Sequence, residues 1–331
     1  MQTNKQWLLV SRPKGEPEIG NFRLVETPAP EIGDGEVLVR NHYMSLDPYM
    51  RGRMDDKKSY TAPQALDQVM QGGTVGEVVA SKNAGYLVGD KVVGAFGWQL
   101  FGRSDGTGLR KVDTAKVPLS AYLGVVGMPG VTAWYGLNAI IEPKAGETVV
   151  VSAASGAVGA TVGQLAKLKG CRVVGVAGGA QKCKAVVEEF GFDACVDYKA
   201  GNLDGDLAAA TPNGIDGYFE NVGGAVLDAV LARMNAFGRI AVCGLISGYN
   251  GAPIPVNNFR SVLSNRLKIQ GFIVGEQPGV WPTALAELAT LVGSGKMKYR
   301  ESVAQGIEAA PEAFIGLLKG RNFGKQVVKL I

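Results

Sequence analysis

"SAASGAVGA", residues 152–160, follows the apolar run "ETVVV" and opens into a stretch with helical periodicity, "AVGATVGQLAKLKG". Within it Ala154-Ser155-Gly156-Ala157-Val158-Gly159 reads A-x-G-x-x-G, the dinucleotide-binding fingerprint with alanine in place of its first glycine. The middle glycine lets the backbone approach a pyrophosphate, and the last lets the helix pack closely on the strand. The N-terminus of that helix offers unpaired N–H groups to the anion. In a chain with 47 glycines such a pattern says little alone. Its meaning comes from standing between a strand and an amphipathic helix.

Working outward, the same alternation recurs. "CRVVGVAG" leads to "AQKCKAVVEEFG", a third unit follows at "ACVDY", and "GYFENVGG" precedes the helical "AVLDAVLARMNAFG". "GRIAVCGLIS" and "LKIQGFIV" come after it, making six strand candidates. Val-rich strands separated by helices describe a doubly wound parallel sheet, a Rossmann domain in an α/β protein, over 126–296. The first 125 residues have another grain. "EVLVRNHYMSL", "GTVGEVVASK" and "DKVVGAFGW" alternate apolar and polar residues, with turns at Gly15, Gly33-Asp34-Gly35 and Gly89-Asp90. That pattern predicts an antiparallel, barrel-like β domain. The tail, 297–331, ends in an alternating strand able to return to it.

Composition narrows the function classes. At 331 residues two domains are expected, and 46% hydrophobic with 19% charged residues describes a soluble globular protein. A net charge of +4 without a Lys/Arg block or aromatic stripe argues against a nucleic-acid partner. No apolar run approaches the roughly 20 residues that span a bilayer, and "MQTNKQWLLV" has no signal-peptide core. Cys171, Cys183, Cys195 and Cys243 form no C-x-x-C pair and read as reduced thiols of a cytoplasmic protein.

An NAD site places an acid about 20 residues past the glycine loop to hold the ribose 2′-hydroxyl. Here the first acid after Gly159 is Glu188, and the interval holds Gly178, Gly179, Lys182 and Lys184. This favours a 2′-phosphate and hence NADPH, although either lysine could simply solvate a helix face. Catalytic zinc needs about three converging Cys, His or carboxylate ligands. The β domain has no cysteine, and the chain's one histidine, His42, lies in an alternating strand where a packed imidazole is expected. No metal site is predicted, and Ser-His-Asp and Cys-His schemes fall with it. What remains is chemistry done by a cofactor that the protein positions.

The motifs "SLDPYMRGRM", "VGMPGVTAWYGL", "SAASGAVGATVGQLAKLKGCRVVGVAGG", "GFDACVDYK", "ENVGG", "GRIAVCGLISGYN", "QGFIV" and "NFGKQVVK" together make the chain resemble, end to end, one family. This is the zinc-independent branch of the medium-chain dehydrogenase/reductases, and within it the NADPH-dependent alkene reductases (prostaglandin reductases, plant alkenal double-bond reductases, bacterial curcumin reductases). Where zinc-dependent relatives carry Gly-His-Glu, the matching stretch is "MQGGTVGEV". The resemblance implies a GroES-like β domain, residues 1–125 with 297–331, beside the Rossmann domain, and a homodimer. It implies that Gly156, Ala157, Val158 and Gly159 meet the pyrophosphate and that Lys182 and Tyr198 bind the 2′-phosphate end. Asn221, then Cys243, Gly244, Leu245, Ile246, Ser247, Gly248 and Tyr249, then Phe272, Ile273 and Val274 would line the path to the nicotinamide. Most of the latter side chains read equally as buried strand ends, with backbone groups making the contacts. Asn322 would close over the cofactor from the tail.

The implied reaction reduces a carbon–carbon double bond conjugated to a carbonyl, with hydride to the β-carbon and a proton to the α-carbon of an enal or enone. Such chemistry needs a hydrogen-bond donor where the enolate charge develops and a proton source. Where many members carry a tyrosine shortly before the "GFIV" strand, this chain has Ser264. Tyr49 is the substitute candidate, with a packed turn tyrosine as the plain alternative; Tyr249 is second. An NADPH:quinone oxidoreductase of the same superfamily and a non-catalytic NADPH-binding protein are the competing readings.

Overall fold

In the computed structural model, which describes residues 2–331, the chain forms two units. One is Val125–Arg300; the other is the chain up to Gly124 together with Glu301–Ile331.

Val125–Arg300 is built on a six-stranded parallel sheet. Its strands are β1 (Thr148–Ser152), β2 (Arg172–Ala177), β3 (Ala194–Asp197), β4 (Ile215–Glu220), β5 (Met234–Val242) and β6 (Lys268–Gly271). Their spatial order is β3-β2-β1-β4-β5-β6, that of a dinucleotide-binding sheet. All six predicted strands are present. Every residue of β1 is buried, because helices cover both faces of a parallel sheet and leave Val no polar side to face. Helix α1 (Ala157–Leu168) lies so close to its neighbours that a Cβ on Gly163 would fall 1.8 Å from the Phe192 ring. A second helix, α2 (Ala180–Glu188), follows β2.

One boundary differs from the periodicity. The helix expected through "AVLDAVLARMNAFG" is Gly224–Leu231 only, and Met234 already belongs to β5. Tertiary hydrogen bonds override the helical pattern there: Arg233 Nε donates to Thr211 Oγ1 at 2.7 Å and Asn235 Nδ2 to Asp216 Oδ1 at 2.8 Å. A register shift between Ile215 and Gly217 accommodates the longer strand.

The other unit holds a seven-stranded and a three-stranded sheet. Val37–Ser45 is its hub, antiparallel to Thr74–Ser81, to Phe101–Ser104 and to the tail strand Lys325–Lys329. The turns expected at Gly35 and Gly89 have φ +78° and +96°, which L side chains rarely adopt. Its core gathers Trp98, Phe22 and Phe314, with Met44, Met50 and Met54. His42 is half-buried with Nε2 3.9 Å from Glu77, and burial lowers its pKa. Among the described residues no helix is long and apolar enough to cross a membrane.

Candidate functional site

The glycine loop joins β1 to α1. Ala153 takes the left-handed conformation, φ +50°, and its carbonyl accepts the Gly156 N–H at 2.9 Å. Ala154 is fully buried, and a Cβ on Gly175 of β2 would lie 2.8 Å from its methyl. The room usually given by the motif's first glycine therefore comes from Gly175 across the sheet. A Cβ on Gly159 would stand 2.4 Å from the Ala153 oxygen, so only glycine lets α1 start this close to the strand. Gly156 caps α1 with no side-chain hydrogen bond. The first-turn N–H groups of Ala157, Val158 and Gly159 are thus those that a helix leaves for an external acceptor, the arrangement a pyrophosphate requires.

One strand over, Gly178-Gly179 follow β2 and lead into α2. A Cβ on Gly178 would meet the Tyr198 hydroxyl at 2.9 Å and Lys199 Cε at 3.0 Å, so both side chains lie over bare backbone. Asp197 fixes the turn, its Oδ1 accepting the N–H of Gly179 at 2.7 Å and of Lys199 at 3.0 Å. Lys182 is half-buried in the first turn of α2, and burial, then Lys199, lowers its pKa. Lys184 points elsewhere, 3.9 Å from Glu188 in an exposed i,i+4 pair. Of the two lysines, Lys182 is in the corner and Lys184 solvates the helix. Lys199 was missed from sequence, although it follows Tyr198 directly.

At the end of β4, Glu220 is buried, with Oε1 accepting from Ser152 Oγ at 2.9 Å and from the Val222 N–H. Burial raises its carboxyl pKa above the ordinary glutamate value. Asn221 is held by the same serine: its N–H donates to Ser152 Oγ and its Nδ2 to Ser152 O, both at 2.8 Å. That bond uses one of the two amide N–H groups and fixes the side chain, leaving Oδ1 as the end that can accept from a ribose hydroxyl. The loop after β5 is tied to this turn through Cys243 N to Glu220 O at 2.9 Å, Ile246 N to Asn221 O at 3.2 Å and Ser247 Oγ to Val222 O at 2.6 Å. Burial pushes the Cys243 thiol up to about 12, so it serves packing. Leu245 is also held against this turn, close to Gly223, and Gly248 forms its bend against Ile254. Tyr249 follows, its hydroxyl 3.0 Å from where a Gly244 Cβ would be.

After β6, Phe272 packs against Phe219 and Tyr135, with ring centroids at 6.1 and 5.5 Å, over Gly136. Ile273 follows it, and the Val274 carbonyl accepts from Trp281 Nε1 at 3.2 Å. All these positions share one edge, the carboxyl ends of the parallel strands. Ser264 does not. It is exposed in the short helix Arg260–Ser264, its Oγ bonded to Arg260 O at 3.2 Å. Its neighbour Asn265 is bonded to Met234 and Phe237, which open β5. That is the amino edge of the sheet.

In the other unit, "SLDPYMRGRM" forms a bend and the short helix Tyr49–Arg53. Asp47 is buried, accepts from Ser45 Oγ and lies 3.1 Å from the buried Lys325 Nζ, which also donates to Leu46 O at 2.6 Å and Gln326 O at 3.0 Å. The Arg53 guanidinium sits 4.7 Å from the Tyr49 ring centroid. Burial first, then Asp47, drives the Tyr49 phenol well above the ordinary tyrosine value, so it remains a neutral O–H donor at working pH. Asn322 donates to Gly324 O at 2.8 Å in the turn before the tail strand. Among the described residues no three His, Cys, Asp or Glu side chains converge where a metal could be held.

Two family models match the chain: an N-terminal domain of oxidoreductase over residues 5–112 and a zinc-binding dehydrogenase domain over residues 157–290. It is 50% identical to the NADPH-dependent curcumin reductase of Escherichia coli, over 99% of this chain and 97% of that protein. It is 43% identical to an NADP(+)-dependent 2-alkenal reductase of Nicotiana tabacum, over 98% and 97%. The crystal structure of CurA from Vibrio vulnificus in complex with NADPH superposes with a TM-score of 0.94 at 47% identity, each chain covered to 99%.

Proposed function

The chain belongs to the medium-chain dehydrogenase/reductase family, in its alkene-reductase branch, and from that premise we propose that it reduces the carbon–carbon double bond of α,β-unsaturated aldehydes and ketones with NADPH. The observation that carries the reading is the corner in which Tyr198 and Lys199 lie over Gly178, with Lys182 close enough to feel the Lys199 charge, together with a helix start at Gly156 that no side chain caps. It offers cations and bare backbone where a 2′-phosphate belongs, and the carboxylate at the turn, Asp197, is engaged by the N–H groups of Gly179 and Lys199. The cofactor supplies the hydride when bound. The first turn of α1 holds its pyrophosphate, Lys182 and Lys199 its 2′-phosphate, and Asn221, fixed by Ser152, a ribose hydroxyl. The test follows NADPH absorbance against graded 2-alkenals, enones and a quinone, with NADH as control. Turnover of enals and enones with preference for NADPH is expected. Turnover of the quinone alone, or tight NADPH binding with none of them consumed, overturns the assignment.

Tyr49 is proposed as the donor to the carbonyl oxygen, because its phenol is neutral and its ring is held between the core of its unit and the Arg53 guanidinium. Tyr49→Phe is expected to lower kcat by about 10²-fold, the cost of one oxyanion donor, with little change in KM for NADPH. Tyr249→Phe is the second variant to compare. Ser264→Ala, at the amino edge, should leave kcat unchanged. Full turnover by Tyr49→Phe removes that residue from the mechanism.

The proposal includes a homodimer formed through β6. This strand pairs on one side only, and Ile269 in it and Leu263 before it are 40% and 81% exposed. Light scattering should give twice the 34.7-kDa chain mass, and the double change Leu263→Glu/Ile269→Glu should give the chain mass with the fold retained. A cytoplasmic location is also part of the proposal, supported by four thiols outside any disulfide; cell fractionation tests it.

A further inference from the structure

Glu220 closes β4 and Ser152 closes β1, on neighbouring strands of the parallel sheet, and both are fully buried. A carboxyl in that place must find its partners inside the protein. Its Oε1 accepts from Ser152 Oγ at 2.9 Å and from the Val222 N–H, two residues further along the chain. The same hydroxyl oxygen accepts the Asn221 N–H at 2.8 Å, and Ser152 O accepts from Asn221 Nδ2. Val222 passes the constraint on, because its carbonyl takes the Ser247 N–H at 3.0 Å and Ser247 Oγ at 2.6 Å. The main chain adds a second tie: the Glu220 carbonyl accepts from Cys243 N at 2.9 Å and Gly244 N at 3.2 Å. One buried side chain thus stands behind the turn after β4, and that turn behind the loop after β5.

We propose that Glu220 is a positioning residue for the coenzyme, its Oε1 fixing through Ser152 and Val222 the direction in which Asn221 presents Oδ1. The proposal deepens the assignment above and rests on it, since Asn221 is there the residue that meets a ribose hydroxyl. Fully buried, Glu220 acts through Asn221 and not on the reacting atoms. Without its carboxyl the Ser152 hydroxyl turns to Phe219 O, at 3.3 Å, and the Val222 N–H loses its side-chain acceptor. What the two donors require is an acceptor oxygen, which a carboxamide supplies as well as a carboxylate. The raised pKa of this carboxyl agrees, burial disfavouring the charge.

The sheet order decides which part of the coenzyme responds. Asn221 follows β4 on one side of β1, whereas Gly178 and Tyr198 follow β2 and β3 on the other. On the assignment above, the ribose that Asn221 meets is therefore the nicotinamide one, common to NADPH and NADH. Loss of the Glu220 acceptor weakens both coenzymes by one factor, about 5–10-fold for a hydrogen bond, and spares the adenosine end.

The experiment titrates the full-length protein with NADPH, NADH and 2′,5′-ADP, which carries the adenosine end alone, and reads Kd. Glu220→Met keeps the length of the side chain and removes the acceptor. It is expected to raise Kd for NADPH and NADH equally, by that factor, with 2′,5′-ADP bound as in the wild type. Glu220→Gln should hold all three values within about twofold, because the acceptor stays. In an Asn221→Ala background Glu220→Met should add nothing. If Glu220→Met does not fold, Ser152→Ala breaks the same link and is held to the same pattern. Unchanged affinities in Glu220→Met overturn the proposal, as do an equal loss in Glu220→Gln or a further loss on top of Asn221→Ala. Unequal losses for the two coenzymes, or weaker 2′,5′-ADP binding, also overturn it, since the residue would then act at the other end or merely hold the fold. Failure of the earlier assignment looks different: Asn221→Ala alone then binds both coenzymes like the wild type, and the proposal falls with it.

Discussion

Lys182→Ala lowers kcat/KM for NADPH by about 10–150-fold, the 1.5–3 kcal/mol of a charge-assisted hydrogen bond, and leaves kcat/KM for NADH near its starting value. The asymmetry follows from what the side chain faces. Lys182 is half-buried beside Lys199, so its ammonium is strained by lost hydration and by a like charge. A 2′-phosphate relieves both, whereas the 2′-hydroxyl of NADH offers no anion. The same argument fixes a pH dependence. Because burial lowers the lysine pKa, the ammonium is lost at a lower pH than for a free lysine. NADPH affinity should therefore weaken on the alkaline side before ordinary lysines titrate near 10.4, and this limb should disappear in Lys182→Ala. Initial rates with both coenzymes across about pH 7–10 measure it. Equal losses with NADPH and NADH would place Lys182 outside the phosphate site.

The second large effect is on stability. Lys325→Met leaves the Asp47 carboxylate buried without its cation, and breaking one side of a buried pair costs about 3–5 kcal/mol. Lys325 and Asp47 are 4% and 5% exposed, and the ammonium also satisfies two carbonyls, so solvent cannot replace it. For a unit of this size that is a fall in Tm of about 6–20 °C. Calorimetry should show the shift in the transition of the β unit and little in that of Val125–Arg300. Adding Asp47→Asn should recover part of the loss, because the stranded charge is then removed. A single variant as stable as the wild type would mean that the pair contributes nothing net.

The parallel sheet was legible because strands buried on both faces must be Val-rich throughout, as "TVVVS" and "RVVGVA" are. NADPH as the coenzyme was legible from the acid missing after the glycine loop, whereas the part of Lys182 in holding it remains the proposal made above. Local sequence could not tell Lys182 from Lys184, since only the turn of α2 puts one in the corner and the other opposite Glu188. The alanine in the glycine fingerprint looked like a defect, and its compensation, Gly175, lies on the next strand. Glu220 is a charged letter in "ENVGG", and nothing nearby says that Ser152 buries it. Alignment by motif put Ser264 where relatives carry a tyrosine, but motif spacing does not say which edge of the sheet a turn occupies. The Asp47–Lys325 pair joins opposite ends of the chain and has no local signal at all.

The tail strand also governs how the molecule comes into being on the ribosome. Lys325–Lys329 lies between Glu301–Gln305 and Val37–Ser45 in one sheet. Synthesis delivers all of Val125–Arg300 before that strand exists, so the middle of the protein matures first and the beginning waits for the end. Throughout this interval the Tyr43–Ser45 end of one strand has an unfilled flank, a template for pairing with other chains. A message cut short just before codon 325 would therefore yield clumping and degradation of the product rather than a slightly shortened enzyme.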